Sequence, residues 1–217
     1  MGDYTSVYFR KNEGVYTKEE LIECVRKLRL KYDPLFYENS EVKFSDDLGT
    51  GFSVEDDKWQ LEFHLGYAGD SFPEYIQIAL PDLYFGMDFP IRNNITVFLC
   101  MLQDVFEYLR PKIGFGAHEL VTNNMTEEQR KSVEEYLFGL NFFGWERLKQ
   151  LGEDKIKTVP YGKIKRTSAG YIYLLSEFAW LGGDIMTPGY EKKVKPYHLS
   201  PDECRVCAHH LGLKSII

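Results

Sequence analysis

The sequence predicts an α+β fold, a single domain in which helices pack on one face of a largely antiparallel sheet. Residues 59–65 and residues 74–80 alternate apolar and polar side chains, as strands with one covered face do. Residues 95–109 repeat apolar side chains at the helical period, so this helix is expected to cover the sheet. Strands and helices do not alternate regularly along the chain, which favours the α+β class. A length of 217 residues suits one domain.

The N-terminal elements are predicted to be a strand, a helix and a short second strand. Residues 4–10 form the first strand. Thr17 and Glu20 make a capping box for the helix, because the hydroxyl and the carboxylate each accept a hydrogen bond from a free backbone N–H group. Pro34 ends this helix by restricting the residue before it. The short strand is expected at residues 41–44.

The central helix over residues 95–109 is expected to have Asn93 or Asn94 as its N-cap, since short amide side chains are favoured at that position. Pro111 ends it, because proline lacks the N–H group that a helix requires. The glycine-rich residues 112–120 that follow are predicted to be extended.

Three elements are predicted in the next part of the chain. Thr126 and Gln129 form a second capping box, opening a helix whose apolar positions continue over residues 133–140. A shorter helix is expected over residues 145–151. A hairpin is expected within residues 163–175, where two strand-like runs flank a polar turn.

The last predicted element is a helix over residues 201–211, which closes a C-terminal extension beginning at about residue 182. Ser200 is its N-cap and Glu203 completes the capping box. Gly212 follows its end, where a left-handed residue is favoured.

Composition restricts the classes of partner. The net charge of −7 and pI near 5.3 argue against nucleic acid and anionic membrane surfaces, which need basic patches, and suit a basic protein partner. The most apolar helix carries charged residues, so no membrane span is expected. The N-terminus lacks a secretory pattern, so a cytoplasmic location is predicted. Nucleotide-binding motifs are absent, so no cofactor is expected, and the oligomeric state stays open.

A cluster of metal-type ligands lies near the C-terminus. Cys204, Cys207 and His210 fall at spacings that share one face of a helix, with His209 and His198 nearby. Zinc needs four nitrogen or sulfur donors, so the cluster is a candidate metal module that requires a further ligand. The favoured alternative is that the cysteines pack inward and the histidines interact with the helix end.

Four other residues are candidates for an enzyme or small-ligand site. Asp82 and Asp88 flank an aromatic loop, and paired carboxylates beside aromatic rings can line a sugar or amine site. His118 and Glu119 can act as a base and the group that orients it. A structural role for these residues is the alternative.

Several apolar, glycine and proline positions carry a family resemblance. These positions lie in two regions. The first region, residues 102–116, contains the end of the central helix and the glycine-containing segment that follows it. The second contains residues 141–148, 151–152, 159–160 and 170–175. In both regions the chain resembles α+β proteins of the bacterial toxin-immunity type. The resemblance covers about half of the chain and implies a non-catalytic protein that binds one protein partner. The resemblance does not identify any individual binding residue in this chain. The leading hypothesis from the sequence is therefore a non-catalytic, cytoplasmic, immunity-like protein.

Overall fold

A computed structural model describes residues 4–32, 42–56, 59–81, 91–175 and 199–216. The strands are β1 (Tyr4–Arg10), β2 (Thr50–Asp56), β3 (Trp59–Tyr67), β4 (Tyr75–Pro81), β5 (Ile113–His118), β6 (Tyr136–Leu137), β7 (Leu140–Gly144), β8 (Lys163–Arg166), β9 (Gly170–Leu174) and β10 (Lys214–Ser215). The helices are α1 (Lys18–Tyr32), α2 (Ile91–Leu109), α3 (Glu119–Asn124), α4 (Glu127–Lys131), α5 (Trp145–Leu151), α6 (Glu153–Lys157) and α7 (Pro201–Leu211).

One eight-stranded sheet organises these elements. Its order is β2-β3-β4-β1-β5-β7-β9-β8, and every neighbouring pair in it is antiparallel. The short strands β6 and β10 pair in parallel beside it. The predicted α+β class and antiparallel sheet are confirmed.

The first face of the sheet is covered by α1 and α2. Side chains of a strand alternate between the two faces, so Val7 and Phe9 of β1 point to this side and are fully buried. They share one apolar cluster with Leu21 of α1 and with Phe98 and Phe106 of α2. The predicted role of the central helix as a cover for the sheet is confirmed.

Helices in the second half of the chain pack on the opposite face, whereas the sequence predicted helices on one face. Phe143 of β7 and Tyr173 of β9 are buried in a cluster with Leu148 of α5, Ile156 of α6 and Cys207 of α7. Strands β7 and β9 therefore have apolar contacts on both faces, which explains why their residues are nearly all buried.

The three capping boxes have the predicted geometry. The Thr17 N–H group donates to Glu20 at 2.8 Å, and the Glu20 N–H group donates to the Thr17 hydroxyl at 3.2 Å. The boxes that begin with Thr126 and with Ser200 are likewise complete. Gly212 ends α7 in a left-handed conformation. Local side-chain chemistry sets the starts of these helices.

Three predictions of local structure are wrong, and one strand was missed. The helix that starts after Thr126 ends at Lys131, and the next residues form a 3-10 turn (Val133–Glu135), β6 and β7, because pairing with β5 and β9 outweighs the helical period. Residues 42–44 form no strand. Helix α2 begins at Ile91, before both predicted caps. Strand β2 was not predicted.

No helix within the described ranges combines the length and the apolar character needed to cross a membrane.

Candidate anion-binding cleft

A cleft with charged walls opens over the second face of the sheet, at the end of β1 and the start of β4. Arg10 of β1 and Tyr75 of β4 are register partners and form its floor. The 3-10 turn Gly69–Ser71 contributes one wall, and α4 with the turn Val133–Glu135 contributes the other. Arg147 of α5 also lines the cleft. The volume of this charged cleft is about 710 Å³, within the range of ligand-binding sites.

Glu134 joins the floor to the wall. Its carboxylate accepts a hydrogen bond from the Lys112 ammonium at 2.8 Å and forms an ion pair with Arg10, which also pairs with Glu74. Burial alone would raise the pKa of Glu134, but the hydrogen bond from Lys112 and the two positive charges outweigh it. The pKa of this carboxyl is therefore held below its usual range, and the group is ionised at neutral pH.

Two arginines of the cleft are anchored by neutral acceptors. Arg130 Nη2 donates to the backbone carbonyls of Thr122, at 3.2 Å, and Asn123, at 3.4 Å. Arg147 Nη2 donates to the Glu134 carbonyl at 2.7 Å, and its Nη1 donates to the Gln150 side chain at 2.9 Å. In the described part of the chain, neither guanidinium has a carboxylate partner.

Buried polar atoms without hydrogen-bond partners concentrate in this cleft. Among the described residues there are four such side-chain atoms: Thr50 Oγ1, Tyr75 Oη, Arg130 Nε and Arg147 Nε. Three of them belong to residues that line the cleft. Leaving a buried donor unpaired costs about 1–3 kcal/mol, so within the described residues this cost is concentrated around the cleft.

The Tyr75 hydroxyl keeps its proton. Burial and the neighbouring Glu134 carboxylate both raise its pKa above the ordinary tyrosine value. The Tyr75 hydroxyl is therefore neutral at pH 7, close to the Arg10 guanidinium.

Acidic side chains also line the cleft, and most of them are neutralised. Four of its five carboxylates are in ion pairs: Glu74 with Arg10, Glu134 with Arg10 and Lys112, Glu127 with Lys131, and Glu135 with Lys214. Asp70 is exposed on the rim. When Lys112 and Lys214 are counted with the lining residues, six cations stand against five carboxylates, and the cations without a carboxylate partner among the described residues are Arg130 and Arg147. The charge near these two arginines favours an anionic group.

The predicted site of four candidate residues does not lie in this cleft. Asp82 and Asp88 are outside the described residues. His118 is the last residue of β5 and is buried. It is the register partner of Thr5, so it lies on the same face as Val7, away from the cleft. Glu119 begins α3, and its side chain is outside the described part of the structure.

The C-terminal candidates have other contacts. Cys204 and Cys207 are fully buried in the apolar cluster beneath β9. His210 Nε2 lies 3.0 Å from the Lys155 carbonyl and 3.2 Å from the Thr158 hydroxyl, so it links α7 to the end of α6. Across the described ranges, no three His, Cys, Asp or Glu side chains group as metal ligands.

Sequence reasoning did not select any of the cleft residues. Arg10, Tyr75, Arg130, Glu134 and Arg147 come from five separate elements and follow no motif. Their unpaired donors are visible only once the sheet register and the path after α4 are known. Arg147 alone lies within the stretch that carries the family resemblance, which gave no reason to single it out.

Comparisons with known proteins add little to this description. No family model and no curated protein matches the chain. Among solved structures, the chain is similar to the Pseudomonas aeruginosa T6SS protein PA0821, with 13% sequence identity and a TM-score of 0.47, over 98% of this chain and 73% of that chain. A likeness this distant assigns no function, and the resemblance to toxin-immunity proteins stays a prediction.

Proposed function

We propose that this protein acts by binding a protein partner, without catalysis, and that the charged cleft receives a carboxylate of that partner. The observation that carries the proposal is the pair of arginines, Arg130 and Arg147, which line the cleft and, among the described residues, hydrogen-bond only to neutral acceptors.

Carboxylates match this arrangement chemically. A guanidinium presents several N–H groups in one plane, and a carboxylate can accept two of them at once. Arg130 and Arg147 are already oriented by backbone carbonyls, so little side-chain entropy is lost when the ligand binds. Each charge-assisted hydrogen bond formed there contributes about 1.5–3 kcal/mol.

The rim of the cleft favours a polypeptide as the source of the carboxylate. Exposed polar and charged residues surround the opening, among them Asp70, Ser71, Glu127 and Lys131. A polar rim around a desolvated centre is the usual anatomy of a protein interface. The toxin-immunity resemblance, which implies one protein partner, supports the same choice. The enzyme or small-ligand site at Asp82, Asp88, His118 and Glu119 and the C-terminal metal module remain the alternatives predicted from sequence.

Calorimetric titration with defined probes tests the proposal. The probes are a short end-blocked peptide containing Asp, the same peptide with Asn in its place, and citrate as a free carboxylate. We expect the Asp peptide to bind more tightly than its Asn counterpart and than citrate. Tighter binding of citrate would identify a small molecule as the ligand. Equal binding of the two peptides would refute the anionic site.

Matched variants locate the binding. Arg147→Gln is expected to lower the affinity for the Asp peptide about tenfold or more, which corresponds to about 1.4 kcal/mol of binding free energy. Arg147→Lys keeps the charge but loses the planar donor pair, so an intermediate loss is expected. Lys149→Gln removes one positive charge from the same helix at an exposed position paired with Glu146, outside the cleft. The proposal fails if this control weakens binding as much as Arg147→Gln does. Thermal unfolding of each variant identifies any loss caused by misfolding.

A further inference from the structure

A second, smaller cavity adjoins the charged cleft on the same face of the sheet. Its volume is about 370 Å³, and Ser71 and Phe72 line both cavities, so they form the partition between them. Phe72 packs between Tyr8, at 4.9 Å between ring centroids, and Tyr75, at 5.8 Å. We call this cavity the neutral pocket, because none of its lining residues is charged; they include Ser6, Gln77, Ala79, Thr122 and Asn123.

The sheet register places the two cavities along one line. On this face, Arg10 faces Tyr75, Tyr8 faces Gln77, and Ser6 faces Ala79. A strand rises about 3.3 Å per residue, so the floor runs about 13 Å from Arg10 to Ser6. Along this distance its chemistry changes from charged to neutral and polar.

The neutral pocket has hydrogen-bonding groups for a ligand. Gln77 Nε2 donates to the Ser6 hydroxyl at 2.7 Å. A primary amide has a second N–H group and a carbonyl oxygen, so Gln77 can still donate and accept. Arg130 also connects the two cavities, because it holds the carbonyls of Thr122 and Asn123, which line the neutral pocket.

We propose that the ligand of this groove is an extended peptide segment of about four residues, with an acidic side chain in the charged cleft and a neutral amide or hydroxyl side chain in the neutral pocket. This inference rests on the proposed function. The length follows from the spacing of about 13 Å between Arg10 and Ser6, which a peptide that crosses over Ser71 and Phe72 spans with about four extended residues. A charged side chain in the neutral pocket would lose hydration without gaining a counter-ion, which is unfavourable.

Short end-blocked peptides test this assignment by calorimetry. Each peptide has an Asp and a test residue separated by two alanines, and the test residue is Asn, Asp or Leu. Both chain directions are synthesised. For one direction, we expect the Asn peptide to bind wild-type protein about tenfold more tightly than the Asp or Leu peptide, since wrong partners leave buried polar groups unpaired.

Variants assign the preference to the neutral pocket. Gln77→Leu has a similar size but no hydrogen-bonding groups, and it is expected to abolish the preference for Asn while the peptides still require Arg147. Gln77→Glu places a negative charge in the neutral pocket, so it is expected to weaken binding of the peptide with Asp in the test position more than binding of the peptide with Asn there. Arg147→Gln is expected to lower the affinity for all three peptides by the same factor.

The outcomes separate this inference from the proposed function. If the three peptides bind wild-type protein equally in both directions, or if the preference for Asn survives in Gln77→Leu, the two-part groove is refuted and the anionic site still stands. If replacing the constant Asp by Asn leaves every affinity unchanged, the proposed function itself fails.

Discussion

Glu134→Gln tests whether the central carboxylate of the charged cleft also stabilises the fold. Glutamine keeps the shape of the side chain but removes the charge that Lys112 and Arg10 share. Arg10 retains its ion pair with Glu74, whereas Lys112 loses its carboxylate. The change therefore leaves one partly buried ammonium without a counter-charge.

The magnitude follows from the exposure of the pair. The side chains of Glu134 and Lys112 are 18% and 19% exposed, so they lie between the surface and the interior. Breaking a fully buried ion pair costs about 3–5 kcal/mol, whereas exposed pairs contribute about 0–1 kcal/mol. We expect Glu134→Gln to lower the free energy of unfolding at pH 7 by about 2 kcal/mol. For a chain of this length, the midpoint of thermal unfolding would fall by about 4–8 °C.

The pH dependence of this difference has a definite sign. The folded pKa of Glu134 is lowered, so its stabilisation is complete above the unfolded pKa, about 4.3, and is lost as the pH falls through the folded pKa. The gap between wild type and Glu134→Gln is expected to be largest at neutral pH and to shrink in acid below about pH 4.

Urea unfolding followed by tryptophan fluorescence, at pH 7 and at pH 3, measures both quantities. Glu127→Gln is the matched control, because its partner Lys131 lies on the exposed side of α4, and it is expected to unfold like wild type. Equal stability of Glu134→Gln and wild type at pH 7, or a gap that widens in acid, would refute the assigned role.

Three further substitutions test the packing. Gly144→Ala would place a Cβ atom 2.1 Å from the Pro111 carbonyl oxygen. Urea unfolding should therefore show that the free energy of unfolding falls by about 3 kcal/mol. A variant as stable as wild type would contradict this packing. Ser200→Ala removes the N-cap of α7 and should cost about 1 kcal/mol, with faster hydrogen exchange confined to that helix; unchanged exchange would show that the cap contributes nothing. Cys207→Ala should keep the fold, because the thiol packs in an apolar cluster. Elemental analysis should find the same metal content in the variant and in wild type. About one zinc per wild-type chain that is lost in the variant would establish the metal alternative.

Helix starts and alternating strands were predictable because their causes are local. The Ser200 box involves groups only three residues apart, and α7 spans the predicted residues 201–211. Helix α5 likewise spans the predicted residues 145–151. Strand β4 could be predicted because its side chains alternate between apolar and polar, and this pattern appears whenever one face of a strand is covered.

Strand β7 shows where local reasoning fails. Leu140–Gly144 has no alternation because both of its faces are buried, and its apolar run is equally compatible with a helix. Pairing with β5 and β9 decides the outcome. Strand β2 was missed because Thr50–Asp56 contains only two large apolar side chains, Phe52 and Val54, and its pairing with the neighbouring β3 decides its structure.

The sequence by itself determined the α+β class, the antiparallel sheet and the helix that covers it, because these depend on periodicity and on caps a few residues long. Only the tertiary structure decided that β1 and β4 form the floor of a cleft and that Arg130 and Arg147 meet there. These arginines have no local partner that marks them in the sequence. Their unpaired donors result from the register of the sheet and the short turn after α4, which bring side chains from distant parts of the chain into one place.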